Sequence, residues 1–586
     1  MTISLSLFSS KATALLAQIY PERDAQDLAN KVLQAFWSEE SQPLHAPREP
    51  GNTLWSEQDA LLITYGNSVT DGSYKPLDVL RHFLETYLQG TVNGVHILPF
   101  FPYTSDDGFA VTDYRTVNSQ LGDWPDINRI ADDFKLMSDL VLNHVSSQST
   151  WFNDYLQGRE PFDKFFFEAN PDDDLSNVVR PRTHPLLREV QTTNGPRHVW
   201  CTFSHDQVDL DFRNPEVLLE FLRVMRVHIQ NGVRIIRLDA VAFLWKDVGS
   251  PSIHLPQTHA IVQLMRLLCD YEREDVVLLT ETNVPNPENL SYFGNRNEAH
   301  AIYNFSLPPL VLHAMLSGSA RYLNRWQNTM PPAPLGCAYL NFTASHDGIG
   351  MRPAEGVLPE EEISKIIKTV RAFGGQINMR ALPNGGESPY ELNITYFDAM
   401  KGTMEGEDQF QVERFLTSQT IIMSLEGIPA FYIHAMTACP NDKEAVEITG
   451  QNRSINRHRW DYDQLRGLLD NPETTNAKVM NTLRDRIKLR CQQPAFHPNA
   501  TQYTLQPDDR IMAVWRQSFD RSQSIFALHN VSDETVTLST SALNLIEGQD
   551  WTDLLSGNAV ETERPNIELA PYQCMWISSR AYGKTA

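Results

Sequence analysis

Four apolar runs of this chain end in residues able to do chemistry. LMSDLVLN leads to Asp139, Asn143 and His144, VRIIRLD carries Arg237 and Asp239, VVLLTE runs into Glu281 and Asn283, and AYLNFTA leads to His346 and Asp347. One such group alone can be a satisfied polar residue of a core. Four runs ending alike argue for use, because a buried charge is costly unless it is paired or employed. Three carboxylates with arginine and histidine around them fit glycosyl transfer. One carboxylate attacks the anomeric carbon while a second, kept protonated, donates to the leaving oxygen. At a separation of about 5–5.5 Å such a pair gives retention through a covalent glycosyl-enzyme. An arginine beside the nucleophile keeps it ionised. A divalent metal centre is the competing reading, but the chain has neither an H-E-x-x-H nor a D-x-D-x-D-G pattern.

These residues need a frame that brings distant strand ends together. Eight short apolar segments alternate with helical patterns: 60–65, 94–100, 136–143, 233–239, 276–281, 301–305, 338–344 and 428–433. Segments such as PLDVLRHFLETYLQG and PEVLLEFLRVMRVHIQNG supply the helices between them. Alternation with near-continuously apolar strands implies a parallel sheet covered by helices, and eight units imply an α/β fold closed into a (β/α)8 TIM barrel. Residues 1–58 read as an N-terminal helical extension ending in the Pro-rich stretch SQPLHAPREPGN. Residues 59–495 read as the barrel, with an inserted subdomain at 145–210 after the third strand and a second insertion at 348–405 after the seventh. Long excursions from strand C-termini are where barrel enzymes build specificity. Short strands separated by turns over 496–586 predict a C-terminal β-sandwich.

Composition narrows the partners. Of 586 residues, 49 are Lys or Arg and 73 are Asp or Glu, a formal charge of −24. Nucleic acid or an anionic membrane would be repelled as a bulk partner, and a phosphate ligand would need local arginines working against that field. The six cysteines are scattered without a C-x-x-C, as in a reducing compartment. The N-terminus lacks a basic segment followed by an apolar core, and no apolar run of about 18 residues occurs. The expectation is a cytoplasmic multidomain protein, with a homodimer left open.

At this point the residues resemble a known family. DLVLNH (139–144), VRIIRLDAVAF (233–243), LLTETN (278–283) and FTASHD (342–347) are similar, in order and spacing, to the four signature regions of the alpha-amylase superfamily. The resemblance covers the chain from about 60 to the end. It implies retention on α-glucosidic bonds, with Asp239 as nucleophile, Glu281 as general acid/base and Asp347 as transition-state stabiliser, supported by Arg237, His144 and His346. Further segments resemble the sucrose phosphorylase-like branch. ILPFFPYTSDDGFAVTDY (97–114) implies Asp106 on glucose hydroxyls and Phe109 stacked on the sugar. VWCTFSHDQVDLDF (199–212) carries Phe203, the facing half of an aromatic platform, and Gln207, and NRSINRH (452–458) places Arg453 at the glucose site. VVRPRTHP (178–185) is similar to an Arg-Pro-Arg loop, making Arg182 the phosphate ligand; prolines around an arginine stiffen the loop and aim its guanidinium. An ordinary solvated loop, or ordinary core positions for Phe109 and Phe203, are the plainer alternatives. This branch implies no metal and no other cofactor, with an α-glucoside and inorganic phosphate as the small-molecule partners.

The acceptor side departs from sucrose phosphorylases. Where they use Tyr, Tyr, His and Gln against fructose, this chain has Val179, Phe243, Asn283 and Glu391. Losing three hydrogen-bonding groups and gaining a carboxylate weakens a fructose site. The departures, with SPYELN (388–393) contributing Tyr390 and Glu391, instead resemble relatives that act on glucosylglycerol and glucosylglycerate. Charge favours glucosylglycerol, since Glu391 would repel a glycerate carboxylate unless Arg380 or Arg182 compensates. Glucosylglycerate comes second, then sucrose or a retaining α-glucosidase or transglucosidase. A solvent-facing Glu391 is a further alternative, and Gly385-Gly386 would let loop 380–392 move. A non-catalytic member of the superfamily would typically lose a carboxylate that is retained here.

Overall fold

The structure is a computed structural model that describes residues 2–37, 54–273, 275–382, 386–543, 545, 550–561 and 565–579. The Pro-rich boundary at 41–52 and Gly385 lie outside the described residues. Eight parallel strands close into a barrel: Leu61–Thr64, Gly94–Ile97, Lys135–Val141, Val233–Asp239, Val277–Thr280, Ala301–Tyr303, Ala338–Asn341 and Ile428–Tyr432. Each strand pairs with its neighbours in sequence, and the first pairs with the eighth through Leu61 opposite Ala430. Their apolar residues are buried on both faces, which is why the strands read as runs rather than as alternations. The barrel segments foreseen from sequence match these strands to within a few residues at each end.

The helices are punctuated locally. Pro215–Gln230 starts at Asn214, whose side chain accepts from the Glu216 N–H, with Pro215 in the first turn. Trp124–Asp133 starts in a capping box between Asp123 and Asp126. Two N-terminal helices, Thr2–Ile19 and Ala25–Phe36, lie on the helices that flank the fourth strand, Pro256–Glu272 and Pro215–Gln230. The Phe8 ring meets Trp37 and Tyr271 edge-on at 5.1 and 5.3 Å, and Trp37 donates to Glu272, which also pairs with Arg226. The extension thereby braces the strand that carries Asp239.

After the third strand come a helix, Thr150–Leu156, and a hairpin, Leu187–Thr192 with Gly195–Trp200. After the seventh strand, Ile349–Gly350, Glu387–Asn393 and Gln376–Ala381 form a three-stranded sheet. Both excursions leave from strand C-termini and stand over the same mouth. At the other end, a six-stranded sheet running from Thr501 to Ser578 faces a two-stranded one, Val536–Ser539 with Asn566–Leu569. The strand Ile511–Gln517 shows how this unit is held: Ile511 and Ala513 face the small core between the sheets, while Met512 and Val514 join the barrel core. Among the described residues no helix is long and apolar enough to cross a membrane.

The closing strand is anchored by one cation. Fully buried Arg490 donates to the carbonyls of Met423, Glu57, Phe496 and Gly427, tying together the approach to the first strand, the approach to the eighth and the junction with the C-terminal sheets. Replacing Arg490 by Met keeps the bulk but strands these carbonyls, each worth about 1–3 kcal/mol when left unsatisfied. We expect a loss of about 3 kcal/mol or more, seen by calorimetry as a melting temperature several degrees lower. Melting with the wild type would show that the guanidinium does not hold the closure.

Candidate active site

Strand register builds the floor of the mouth. In the third and fourth strands Asp139 lies opposite Arg237 and Val141 opposite Asp239. Arg237 and Asp239, two residues apart, share a face of their strand. Arg237 Nη1 therefore reaches both Asp139 Oδ1, at 2.5 Å, and Asp239 Oδ1, at 2.6 Å, while Nη2 stands 3.8 Å from Glu281. Asp139 is held in turn by His96 at 2.7 Å. Two carboxylates thus share one buried guanidinium. Just past Asp239 the chain enters the left-handed region at Ala240 (φ 49°), an uncommon conformation for a residue with a Cβ. That turn aims the Ala240 N–H at Glu281 Oε2, 3.0 Å away.

Electrostatics separates the two carboxyls. Burial raises both, Asp239 to about 8 and Glu281 in the same direction, because neither charge is solvated. Arg237 opposes that shift and touches Asp239 more closely than Glu281. The closer contact favours the anion at Asp239 and leaves Glu281 the better placed of the two to carry a proton. Asp347 is different. Burial pushes it up, but Arg453, at 2.7 Å, and Arg457 outweigh burial and leave it below the usual range. Burial lowers His144 and His346, so both are neutral hydrogen-bonding groups at neutral pH. His346 Nδ1 finds no partner among the described residues.

The sequence-derived residues converge. One cavity is lined by Asp106, Phe109, His144, Arg182, Phe203, Gln207, Asp239, Glu281, Asn283, His346, Asp347 and Arg453. The Phe109 ring stacks on His346 at 4.9 Å, its carbonyl accepts from His144 at 3.0 Å, and Gln207 donates to the same carbonyl. Phe203 stands edge-on to Phe243 at 5.6 Å, and Asn283 Oδ1 has no partner among the described residues. Arg182 lies over the rings of Tyr390 and Phe203, 5.1 and 5.7 Å from their centres, and among the described residues it donates to the Pro181 carbonyl.

Three sequence-derived residues stand behind the lining. Arg237 is the floor, and Tyr390 backs Arg182. Glu391 does not face the acceptor space: it is 1% exposed, and Arg453 grips both of its carboxylate oxygens while Asn378 donates to one of them. The repulsion expected of Glu391 against an anionic acceptor is therefore reduced by its burial and by Arg453, a cation it shares with Asp347. Arg380 is likewise engaged, with Glu355 at 2.7 Å. Sequence reasoning passed over Arg457, four residues after Arg453, which binds Asp107 at 2.7 Å and the His346 carbonyl at 2.9 Å. The segment NRSINRH offers two arginines and nothing in its spacing to rank them. Among the described residues no three metal-binding side chains are grouped as a metal centre needs.

Comparisons with known proteins identify the family. Residues 85–347 match the family model for the alpha amylase catalytic domain. The chain is 42% identical over 575 residues to glucosylglycerate phosphorylase of Spirochaeta thermophila, covering 96% of this chain and 97% of that protein. It is 29% identical over 426 residues to glucosylglycerol phosphorylase of Marinobacter adhaerens, covering 70% and 84%. The crystal structure of sucrose 6F-phosphate phosphorylase from Thermoanaerobacter thermosaccharolyticum superposes with a TM-score of 0.70 at 24% identity, covering 85% and 95%, which shows the shared fold. The chain belongs to the alpha-amylase superfamily and, within it, to the sucrose phosphorylase-like branch of glycoside phosphorylases.

Proposed function

We propose that this enzyme is a retaining glucosylglycerate phosphorylase, converting an α-glucoside of glycerate and inorganic phosphate into α-glucose 1-phosphate and glycerate. The observation that carries the aglycone is the charge balance at the acceptor side. Glu391, which had favoured neutral glycerol, is spent on Arg453, whereas Arg182 lines the cavity with no carboxylate partner among the described residues. An acceptor space whose unpaired charge is positive suits a carboxylate. The 42% identity to a protein of that name supports the same choice over glucosylglycerol, the first expectation from sequence.

In this reading Asp239 attacks the anomeric carbon while Glu281 gives its proton to the departing glycerate oxygen. The C1–O bond to glycerate breaks, and a β-glucosyl ester forms on Asp239. Phosphate oxygen then attacks C1 from the face that glycerate vacated, the phosphate's proton passes to the Glu281 carboxylate, and the ester bond returns its electrons to Asp239. Asp347 and Arg453, with neutral His144 and His346, hold the glucose hydroxyls as the ring flattens. Phe109 and Phe203 bound the sugar, and Asp106 and Gln207 close its far end. Asn283 Oδ1, without a protein partner, accepts from an acceptor hydroxyl. Arg182 receives glycerate carboxylate and phosphate in turn, so the two anions exclude each other. Tyr390 keeps its guanidinium flat against the ring.

Asp239→Asn is expected to lose about 10⁴-fold or more in turnover of every donor, as removal of a nucleophile does; retained turnover would sink its assignment. Arg182→Ala removes charge-assisted hydrogen bonds worth about 1.5–3 kcal/mol. It should therefore raise KM for phosphate and for D-glycerate together by about 10- to 100-fold, with slow hydrolysis of the glucosyl-enzyme little changed. A loss for phosphate alone, with glycerate use intact, would remove Arg182 from the acceptor account.

A further inference from the structure

A second and larger cleft, of about 1580 Å³, opens beside the active-site cavity, and no residue lines both. They are separated by the thickness of two loops. Asp106 faces the active site, while its neighbour Asp107 faces the second cleft; Arg453 and Ser454 divide in the same way. Asp106 and Asp107 are both in the left-handed region (φ 52° and 47°), and Gly108 follows at φ 119°, where a Cβ would meet the Pro99 carbonyl at 2.8 Å. Such a backbone keeps its shape only if its surroundings enforce it. Arg453 stands 3.9 Å from Asp106 and Arg459 3.9 Å from Asp107, but the closest cation to the turn is Arg457. Arg457, 6% exposed and lining the second cleft, donates through Nη1 to Asp107 at 2.7 Å, lies 3.6 Å from Asp106, and donates through Nε to the His346 carbonyl at 2.9 Å. Its Nη2 stands 4.0 Å from Asp347, and the Tyr65 ring packs on its guanidinium at 5.8 Å.

We propose that Arg457 is a positioning residue that closes the wall between the two clefts and keeps water in the second cleft from the glucosyl-enzyme. The inference rests on the phosphorylase reading. A covalent glucosyl ester on Asp239 meets water at far higher concentration than phosphate, so the back of the glucose site must be shut if phosphate is to win. Water entering there would form a bond from its oxygen to C1 as the ester bond to Asp239 breaks, with its proton passing to the Glu281 carboxylate and free glucose leaving. From the water side Arg457, on the loop that follows Arg453 and Ser454, fastens the 106–108 turn and the His346 carbonyl together. A shorter or absent side chain opens the partition and frees the left-handed turn.

The test measures, with α-glucose 1-phosphate as donor and D-glycerate as acceptor, the ratio of free glucose to transferred glucose. For Arg457→Ala and Asp107→Asn we expect that ratio to rise at least fivefold over wild type, with Arg457→Lys between them and wild type. A ratio within twofold of wild type in both, whatever the total rate, overturns the proposal, since a merely structural loss lowers both products together. Asp107→Asn, isosteric and exposed on one side, carries the test if Arg457→Ala does not fold. A wild type that releases only free glucose would refute the phosphorylase reading instead. The wall is then judged by a crystal structure of either variant: merged clefts support it, and separate clefts overturn it.

Discussion

One guanidinium governs this site. Arg237 lies beneath the mouth of the barrel, where it touches the carboxylates of Asp139 and Asp239 and approaches that of Glu281. Burial raises the carboxyls of both Asp239 and Glu281, and Arg237 is the cation that opposes that rise at each of them. The strand register that sets Arg237 opposite Asp139 is thus a catalytic constraint as much as a structural one. The barrel serves to fix it: the N-terminal helices brace the fourth strand from outside, and Arg490 closes the ring at the first and eighth strands.

The ion pairs form layers. Arg237 opposes the rise that burial imposes on Asp239 and Glu281. Arg453 and Arg457 then hold Asp347 ionised, and each carries a second duty: Arg453 neutralises Glu391, and Arg457 fastens the 106–108 turn. Arg182 presents its charge to the cavity against two aromatic faces, with no carboxylate partner among the described residues. A chain with a formal charge of −24 can receive an anion only where such an arginine is left unspent.

Much of this was legible in the sequence because the barrel demands apolar strands, so charged strand ends stand out. Asp239, Glu281, His346 and Asp347 could be read from that contrast. The alternation of strand and helix gave the closed barrel, though all but the fourth strand, Val233–Asp239, are shorter than their apolar runs. The acceptor side was less legible. Glu391 reads as a free charge in SPYELN, and only the fold brings Arg453, 62 residues later, against it. That single pairing turned the aglycone preference from a neutral triol towards an acid. Arg457 was missed for the same reason, since its partners Asp107 and His346 lie on loops more than a hundred residues away.

The central claim is that the acceptor space selects an anion by means of Arg182. The most direct measurement is phosphate release from α-glucose 1-phosphate with D-glycerate, glycerol and fructose offered separately at equal concentration. The account predicts rapid release with D-glycerate and slow release with the two neutral acceptors, with the glycerate rate falling as phosphate is added. Faster release with glycerol or fructose than with glycerate would contradict it.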